Sequence, residues 1–144
     1  MTVKDVMSSP VRSVAPADTL VMAAKLMDQF DIGLLPVHDG TRVVGVITDR
    51  DITVRAVSAG KDPRLTRVDD VMTEDVHYCL ADDPVDVVVG HMADKQIRRL
   101  LVFDSGGRLA GIVSLGDIAK RAGSHTVAEV LRRISMPSQP ERVA

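Results

Sequence analysis

The length, composition and charge of the chain restrict the classes of protein it can belong to. Its 144 residues suffice for one compact domain or two very small ones, and 45% hydrophobic with 26% charged residues is an ordinary globular balance. The net charge of −2 provides no basic field for nucleic acid, and two phenylalanines with one tyrosine are too few for a base-stacking surface. We therefore expect no nucleic-acid partner.

The sequence also carries no signal for export or for membrane insertion. The N-terminal stretch MTVKDVMSSP contains charged residues and lacks the apolar segment of a secretory signal. The apolar runs are about five residues long, whereas a membrane-spanning helix needs about 20. We therefore expect a cytoplasmic protein with no membrane partner.

The chain contains an internal repeat. VKDVMSS at residues 3–9 recurs as VDDVMTE at 68–74, and GVITDRDI at 45–52 recurs as GIVSLGDI at 111–118. The offset is 65 residues in the first pair and 66 in the second, so one residue is inserted between the two matches. Similarity at a fixed offset indicates a duplicated structural unit.

The repeat predicts the organisation of the whole chain. We expect a first copy at residues 1–60 and a second at 68–123, joined by a polar, glycine- and proline-containing linker at 61–67. After the second copy, apolar residues on one face predict a C-terminal helix at 124–136. The last residues, 137–144, are expected to form a flexible tail.

Each copy begins with a predicted strand and helix. The strand spans residues 11–14 in the first copy and 76–80 in the second. The helix that follows has apolar residues at positions i, i+3, i+4 and i+7. We expect Asp18 and Asp83 to cap these helices, with Pro84 at a first helical position.

A predicted hairpin and a second helix complete each copy. Two apolar segments flank a glycine-containing turn, as in a β-hairpin. Thr48 in the first copy and Ser114 in the second are expected to open the second helix. The predicted fold class is thus α/β (α+β), with two β-α-β-β-α units.

The repeated octet has two possible roles. Thr48 with Asp51, and Ser114 with Asp117, have the spacing of a capping box, in which hydroxyl and carboxylate bond to backbone amides at a helix start. Alternatively, the hydroxyl donates to a ligand phosphate and the carboxylate accepts from two sugar hydroxyls. The glycine of the octet would then let the ligand approach the backbone closely. Together with an aliphatic slot for a base, this arrangement would bind a nucleotide.

The order of these motifs identifies a family resemblance. DVM, IGLLPV and VVGVITDRDI follow one another and recur once, from Val3 to about Arg121, which resembles a tandem pair of cystathionine-β-synthase (CBS) domains. The resemblance is strongest to small free-standing proteins that contain little else. It implies two pseudo-symmetric units packed through their sheets, with two clefts between them. In the family such clefts bind AMP, ADP, ATP or S-adenosylmethionine.

The resemblance implies roles for particular residues. Thr48 and Ser114 would contact phosphate, Asp51 and Asp117 would hold ribose hydroxyls, and the segments 32–36 and 97–101 would line base pockets. Three arginines could neutralise phosphate charge, whereas Asp49 beside Thr48 would oppose it. The complete predicted binding set is Thr48, Asp51, Ser114, Asp117, Ile32, Leu34, Pro36, Val46, Ile47, Arg50, Ile97, Arg98, Arg99, Ile112 and Val113.

The remaining reactive residues predict no catalysis and no metal site. His77 and Cys79 could form a nucleophile pair, but no third group orients them, so a buried structural cysteine is the better interpretation. The four histidines lack metal-ligand spacing. A single cysteine also excludes an intramolecular disulfide.

These observations predict a regulatory module and not an enzyme. An adenine nucleotide would be its regulatory ligand, no cofactor would be required, and the signal would pass to an unknown partner protein in trans. The resemblance also implies a homodimer. The alternative is a structural or interaction protein with non-binding clefts, which is favoured by the replacement of Pro36 by Leu101 in the second copy.

Overall fold

The computed structural model describes residues 1–121 and 124–137, which form two compact units. Arg12–Val76 forms one, here called the middle unit. Met1–Val11 and the described residues from His77 onward form the other, here called the terminal unit. Within the described residues, no helix combines the length and the apolar character needed to cross a membrane.

The middle unit consists of helices packed on a two-stranded antiparallel sheet. Its core contains fully buried residues from α1, from both strands and from α3, including Leu20, Leu35 and Ile47. The helix that starts after β2 continues with wider, π-helical turns. The elements are α1 (Leu20–Phe30), β1 (Leu34–His38), β2 (Val43–Thr48), α2 (Asp49–Asp51) with its π-helical continuation (Ile52–Val57), and α3 (Val68–Val71).

The terminal unit contains a three-stranded sheet. Its central strand β4 pairs parallel with β3 and antiparallel with β5. Met92, Leu100 and Ile118 lie in its core. The elements are a 3₁₀ turn (Val3–Asp5), β3 (Tyr78–Leu80), α4 (Val85–Lys95), β4 (Arg99–Phe103), β5 (Leu109–Ser114), α5 (Leu115–Ala119) and α6 (Ser124–Ser135). The predicted fold class, mixed α and β, is confirmed.

The first strand predicted in each copy is shorter than expected. In the first copy the segment 11–14 makes only an isolated parallel bridge, between Val14 and Val37. In the second copy the strand is limited to Tyr78–Leu80. The four residues VRSV have the alternation of a strand, but they also fit an irregular segment with one buried side chain, that of Val14.

The predicted helix caps were wrong by one residue. Thr19 is the N-cap of α1, and its hydroxyl oxygen accepts from the amide of Met22 at 3.2 Å. Pro84 occupies the N-cap position of α4 instead of the first helical position. The Asp18 and Asp83 carboxylates each accept from a backbone amide three residues earlier, at 2.8 and 2.9 Å. They stabilise the turns before the helices, which is a common alternative role for aspartate.

Each compact unit combines strands of one repeat with the Val-Met segment of the other. Ser8, from the first repeat, pairs with Ile112 of β5 through N–O distances of 2.8 and 3.1 Å. Thr73, from the second repeat, pairs in the same way with Val46 of β2, at 2.9 and 2.8 Å. The predicted boundaries 1–60 and 68–123 describe repeats in the sequence, and the compact units cut across them.

The glycine of each octet faces this exchanged segment. A Cβ at Gly45 would lie 2.8 Å from the carbonyl oxygen of Thr73, and one at Gly111 would lie 2.8 Å from that of Ser8. Real Cβ atoms do not approach an oxygen so closely, so both positions require glycine. The sequence-based interpretation that these glycines admit a ligand was wrong, because the protein's own backbone occupies the space.

The predicted linker at 61–67 is part of the middle unit. Thr66 is buried, and its hydroxyl donates to the carbonyl of Asp62 at 2.7 Å. The carbonyl of Thr66 accepts from the amide of Leu20 at 3.1 Å, which fixes the segment to the start of α1. Of the predicted tail 137–144, all but the first residue lies outside the described residues.

The close approach at Gly111 can be tested with a matched pair of alanine variants. We expect Gly111→Ala to lower the free energy of unfolding by about 1–3 kcal/mol, because the carbonyl of Ser8 cannot move away without losing its bridge. Gly90 lies inside α4, and apart from the local helix backbone no atom lies within 4 Å of the place that a Cβ would take there, so Gly90→Ala should stabilise by about 1 kcal/mol through helix propensity. Urea unfolding measures both, and a Gly111→Ala variant as stable as the parent would contradict the exchanged arrangement.

Candidate ligand-binding site

Both repeated octets form closed capping boxes. The Thr48 hydroxyl accepts from the amide of Asp51 at 3.0 Å, and Oδ2 of Asp51 accepts from the amide of Thr48 at 3.1 Å. The corresponding distances between Ser114 and Asp117 are 3.0 and 2.9 Å. The capping role considered from the sequence is therefore present in both copies. Each box uses only one oxygen of its carboxylate.

The carboxylate of Asp51 is also held by its surroundings. The hydroxyl of Thr73 donates to it at 3.2 Å, and Nε of Arg55 lies 3.8 Å from Oδ1. Arg55 in turn donates to the carbonyl of Met72 at 3.0 Å. Asp51 is only 8% exposed. It therefore connects the exchanged Val-Met segment to the helix of the middle unit.

The carboxylate of Asp117 is less constrained. The positions that correspond to Thr73 and Arg55 are Ser8 and Arg121. Within residues 1–121 and 124–137, neither side chain makes a hydrogen bond or an ion pair with Asp117, which is half-buried. The second carboxylate is thus the one that retains capacity to accept from a ligand.

A cavity of about 400 Å³ lies beside this second capping box, within the terminal unit. It combines two guanidinium groups and a hydroxyl with aliphatic side chains from α5 and α6. The backbone holds its parts together, since the carbonyl of Arg98 accepts from the amide of Leu115 at 2.8 Å. The lining residues are Arg98, Arg99, Ser114, Leu115, Gly116, Ala119, Val127 and Leu131.

The corresponding place in the middle unit has the opposite charge. Asp49 occupies the position of Leu115, and Gly33 occupies that of Arg98. Oδ1 of Asp49 accepts from the amide of Arg50 at 2.8 Å, and Oδ2 lies 2.9 Å from the position of a Cβ on Gly33. The Asp49 carboxylate therefore accepts from the amide at the helix start and fills the space beside Gly33. Its negative charge would repel a phosphate there.

The structure brings together only part of the predicted binding set. Arg98, Arg99 and Ser114 line one cavity. Ile47 and Val113 are fully buried, at 0% exposure, in the cores of the two units, because strand alternation directs them inward. Their assignment to a ligand slot stays a prediction. Pro36 is also buried, Arg50 is exposed, and the half-buried members are Ile32, Leu34, Val46, Ile97 and Ile112.

Cys79 is a core residue and not an activated nucleophile. It is 7% exposed, and burial together with the negative charge of Asp83 raises the pKa of its thiol to about 11. A nucleophilic cysteine requires the opposite shift. The ring of His77 lies 6.4 Å from that of His91. Among the described residues, no group of three or more His, Cys, Asp or Glu side chains is placed to hold a metal ion.

Comparison with known proteins assigns the chain to a family. The sequence model of the CBS domain matches residues 3–57 and 68–124. The chain is 34% identical over 137 residues to hypoxic response protein 1 of Mycobacterium tuberculosis, covering 94% of this chain and 95% of that protein. It is 36% identical over 135 residues to the CBS domain-containing protein YhcV of Bacillus subtilis, covering 93% and 95%. The protein belongs to the CBS domain family and carries two copies of the domain, which confirms the resemblance.

A solved structure of a related protein contains adenosyl ligands. The CBS domain pair of protein MJ0100, in complex with 5′-methylthioadenosine and S-adenosyl-L-methionine, matches with a TM-score of 0.73 and 31% identity. The match covers 83% of this chain and 94% of that one. A CBS domain pair similar to this chain therefore binds adenosine-containing molecules.

Sequence reasoning missed the contributions of α5 and α6 to the cavity. Four helix residues line the cavity: Leu115, Ala119, Val127 and Leu131. Of these, only Val127 and Leu131 have a sequence pattern that could have indicated the site. They lie one helical turn apart on the apolar face of a helix that the first repeat lacks. An element present after only one copy of a duplication indicates a place where the copies differ.

The difference between the two carboxylates predicts different stability costs. We expect Asp117→Ala to lower the free energy of unfolding by about 1 kcal/mol, as for loss of a cap. Asp51→Ala should cost about 2–4 kcal/mol, because it also removes the acceptor for the Thr73 hydroxyl and the charge beside Arg55. Asp28→Ala, at an exposed position of α1, is the control and should stay within about 0.5 kcal/mol of the parent in urea unfolding. Equal costs for Asp51 and Asp117 would contradict the asymmetry.

The environment of Cys79 predicts slow thiol chemistry. At pH 7–8 the raised pKa keeps the group protonated, and its side chain is buried. We expect Ellman's reagent to react with the native protein at least about 100 times more slowly than with the protein unfolded in urea. Comparable rates in the two states would show that Cys79 is accessible and ionised.

Proposed function

We propose that the protein is a regulatory module that binds an adenine nucleotide in the cavity of the terminal unit. The family assignment and the adenosyl ligands of the MJ0100 domain pair support the ligand class. The observation that carries the proposal is the cavity itself. Two arginines and Ser114 border it next to the half-buried Asp117.

The chemistry of the lining fits the parts of a nucleotide. Guanidinium groups of Arg98 and Arg99 pair with phosphate oxygens through charge-assisted hydrogen bonds, and the Ser114 hydroxyl adds a further donor. The free capacity of the Asp117 carboxylate suits ribose hydroxyls. Aliphatic side chains give an apolar surface to the rest of the ligand. A volume of about 400 Å³ falls within the range of small-molecule sites, about 300–1,000 Å³.

The arginines favour phosphorylated ligands over other adenosyl compounds. AMP, ADP and ATP carry negative charge at the 5′ end, 5′-methylthioadenosine is neutral, and S-adenosylmethionine is a sulfonium cation. Two positive side chains attract the anionic nucleotides and disfavour the S-adenosylmethionine cation. Their charge contributes nothing to the binding of neutral 5′-methylthioadenosine. We therefore place AMP, ADP and ATP above the adenosyl ligands of MJ0100 as candidates for this chain.

We further propose that only the second repeat supplies the phosphate-binding groups. In the middle unit the Asp49 carboxylate lies where the second copy has Leu115, and Asp51 is already satisfied by Thr73 and Arg55. A phosphate there would meet a fixed negative charge without a neighbouring arginine at positions 33 and 34. The two repeats would then have different roles.

The output of the module remains a prediction from the family resemblance. We propose a non-catalytic role, as the resemblance to small free-standing CBS domain proteins implies. The nucleotide would act as a regulatory ligand, and its occupancy would be passed to an unknown partner protein in trans. The homodimer and the cytoplasmic location stay predictions from the resemblance and the sequence.

A structural or interaction role without ligand is the second candidate. It is favoured by the closed capping boxes, in which both hydroxyls and both aspartates already have partners. In that case the repeated octet would serve only to start helices. Binding measurements separate the two candidates.

Titration calorimetry with AMP, ADP, ATP, S-adenosylmethionine and 5′-methylthioadenosine tests the proposal. We expect the phosphorylated ligands to bind most tightly to the parent. Arg98→Ala and Arg99→Ala should each weaken AMP binding about tenfold, because each removes one charged phosphate contact, and should leave 5′-methylthioadenosine unaffected.

Arg108→Ala is the matched control for these variants. Arg108 is exposed in the hairpin turn of the same unit, outside the cavity, so the variant should bind AMP as the parent does. Absence of binding of all five compounds to the parent would favour the structural candidate. Binding of AMP that is insensitive to both arginines would place the ligand elsewhere.

A further inference from the structure

The C-terminal helix α6 is the element of the terminal unit that the duplication does not explain. The first repeat is followed by the segment 58–67, which forms turns and no helix. α6 packs against α4 and α5, and its Val130 is 5% exposed in the core of the unit. A helix of this kind is part of the folded unit and not an appended tail.

Three polar contacts fix the end of α6 to the end of α4. Nε2 of Gln96 donates to the carbonyls of Arg133 and Met136, at 3.1 and 2.9 Å. Nη2 of Arg133 lies 2.8 Å from Oδ1 of Asp94. We call these contacts the α6 latch. They lie largely at the protein surface, so their strength is modest and the docking of α6 can respond to a further contact.

The same helix forms part of the cavity wall. Val127 and Leu131, one turn apart on α6, line the cavity with Arg98 and Arg99. Leu131 is 43% exposed, so it is not fully covered by the protein's own atoms. The charged groups of the cavity therefore come from Arg99 on β4 and from Arg98 directly before it. Much of the apolar surface comes from α6.

We propose that α6 is a ligand-contacting helix whose docking onto α4 is coupled to nucleotide binding. A nucleotide that places its phosphates at Arg98 and Arg99 would contact Val127 and Leu131 with the remainder of the molecule. It then binds more tightly when α6 is docked, and by thermodynamic reciprocity its binding holds α6 in place. α6 thereby becomes the element that reports occupancy to a partner protein. This inference rests on the function proposed above.

A side-chain substitution tests the contact. Leu131→Ser should weaken AMP binding about tenfold, through loss of apolar contact with the ligand. Leu80→Ser is the matched control, since Leu80 is 44% exposed in β3 of the same unit and lies outside the cavity lining. We expect the control to bind AMP like the parent.

Hydrogen exchange with and without AMP tests the coupling. AMP should slow amide exchange in α6 of the parent by at least about fivefold, which corresponds to the lower end of typical coupling. Arg133→Ala should speed exchange in α6 without ligand and weaken AMP binding. Arg132→Ala should do neither, because Arg132 pairs with Glu129 on the same helix at 2.9 Å.

The outcomes distinguish this inference from the proposed function. If the parent binds AMP but α6 exchanges at the same rate with and without it, and Leu131→Ser and Arg133→Ala bind normally, the coupling is wrong and the nucleotide site stands. If the parent binds no nucleotide, both are wrong. Slower exchange in α6 with weaker binding in both variants supports the coupling.

Discussion

The two backbone bridges between Ser8 and Ile112 and between Thr73 and Val46 are the interactions on which the rest of the structure depends. Each lays a Val-Met segment from one repeat across a hairpin strand of the other. Both bridges require a residue without a side chain at the crossing, which is why Gly45 and Gly111 begin the repeated octet. In the middle unit the same crossing brings the Thr73 hydroxyl to Asp51. The local chemistry of the octet thus depends on the long-range exchange.

Duplication preserved the framework and changed the charges. Both copies keep the glycine, the hydroxyl and the aspartate, because these residues hold the crossing and start the helix. The side chains around them are free to differ. Asp49 beside Gly33 makes one place acidic, whereas Leu115 with Arg98 and Arg99 makes the other suited to an anion. The scaffold residues shared by the two copies therefore identify the fold, and their diverged neighbours determine which copy can bind.

The accuracy of the sequence predictions follows the distance over which each interaction acts. The helices, the hairpins and the capping boxes were predictable, because their signals lie within about four residues of one another. The positions of the helix caps were wrong by one residue, since Asp18 and Asp83 bond to a preceding turn that competes with the helix start. Ile47 and Val113 were assigned to a ligand slot, although strand alternation points them into the cores.

The sequence by itself determined the duplication, the family and the capping boxes that start α2 and α5, because all of these are written in spacing along the chain. Only the tertiary structure decided which repeat supplies the Val-Met segment to each unit, that Asp51 is held by Thr73, and that α6 lines the cavity beside Arg98 and Arg99. These arrangements join residues that are 22 to more than 100 positions apart. Their energies depend on which surfaces pack together, and spacing along the chain does not specify that.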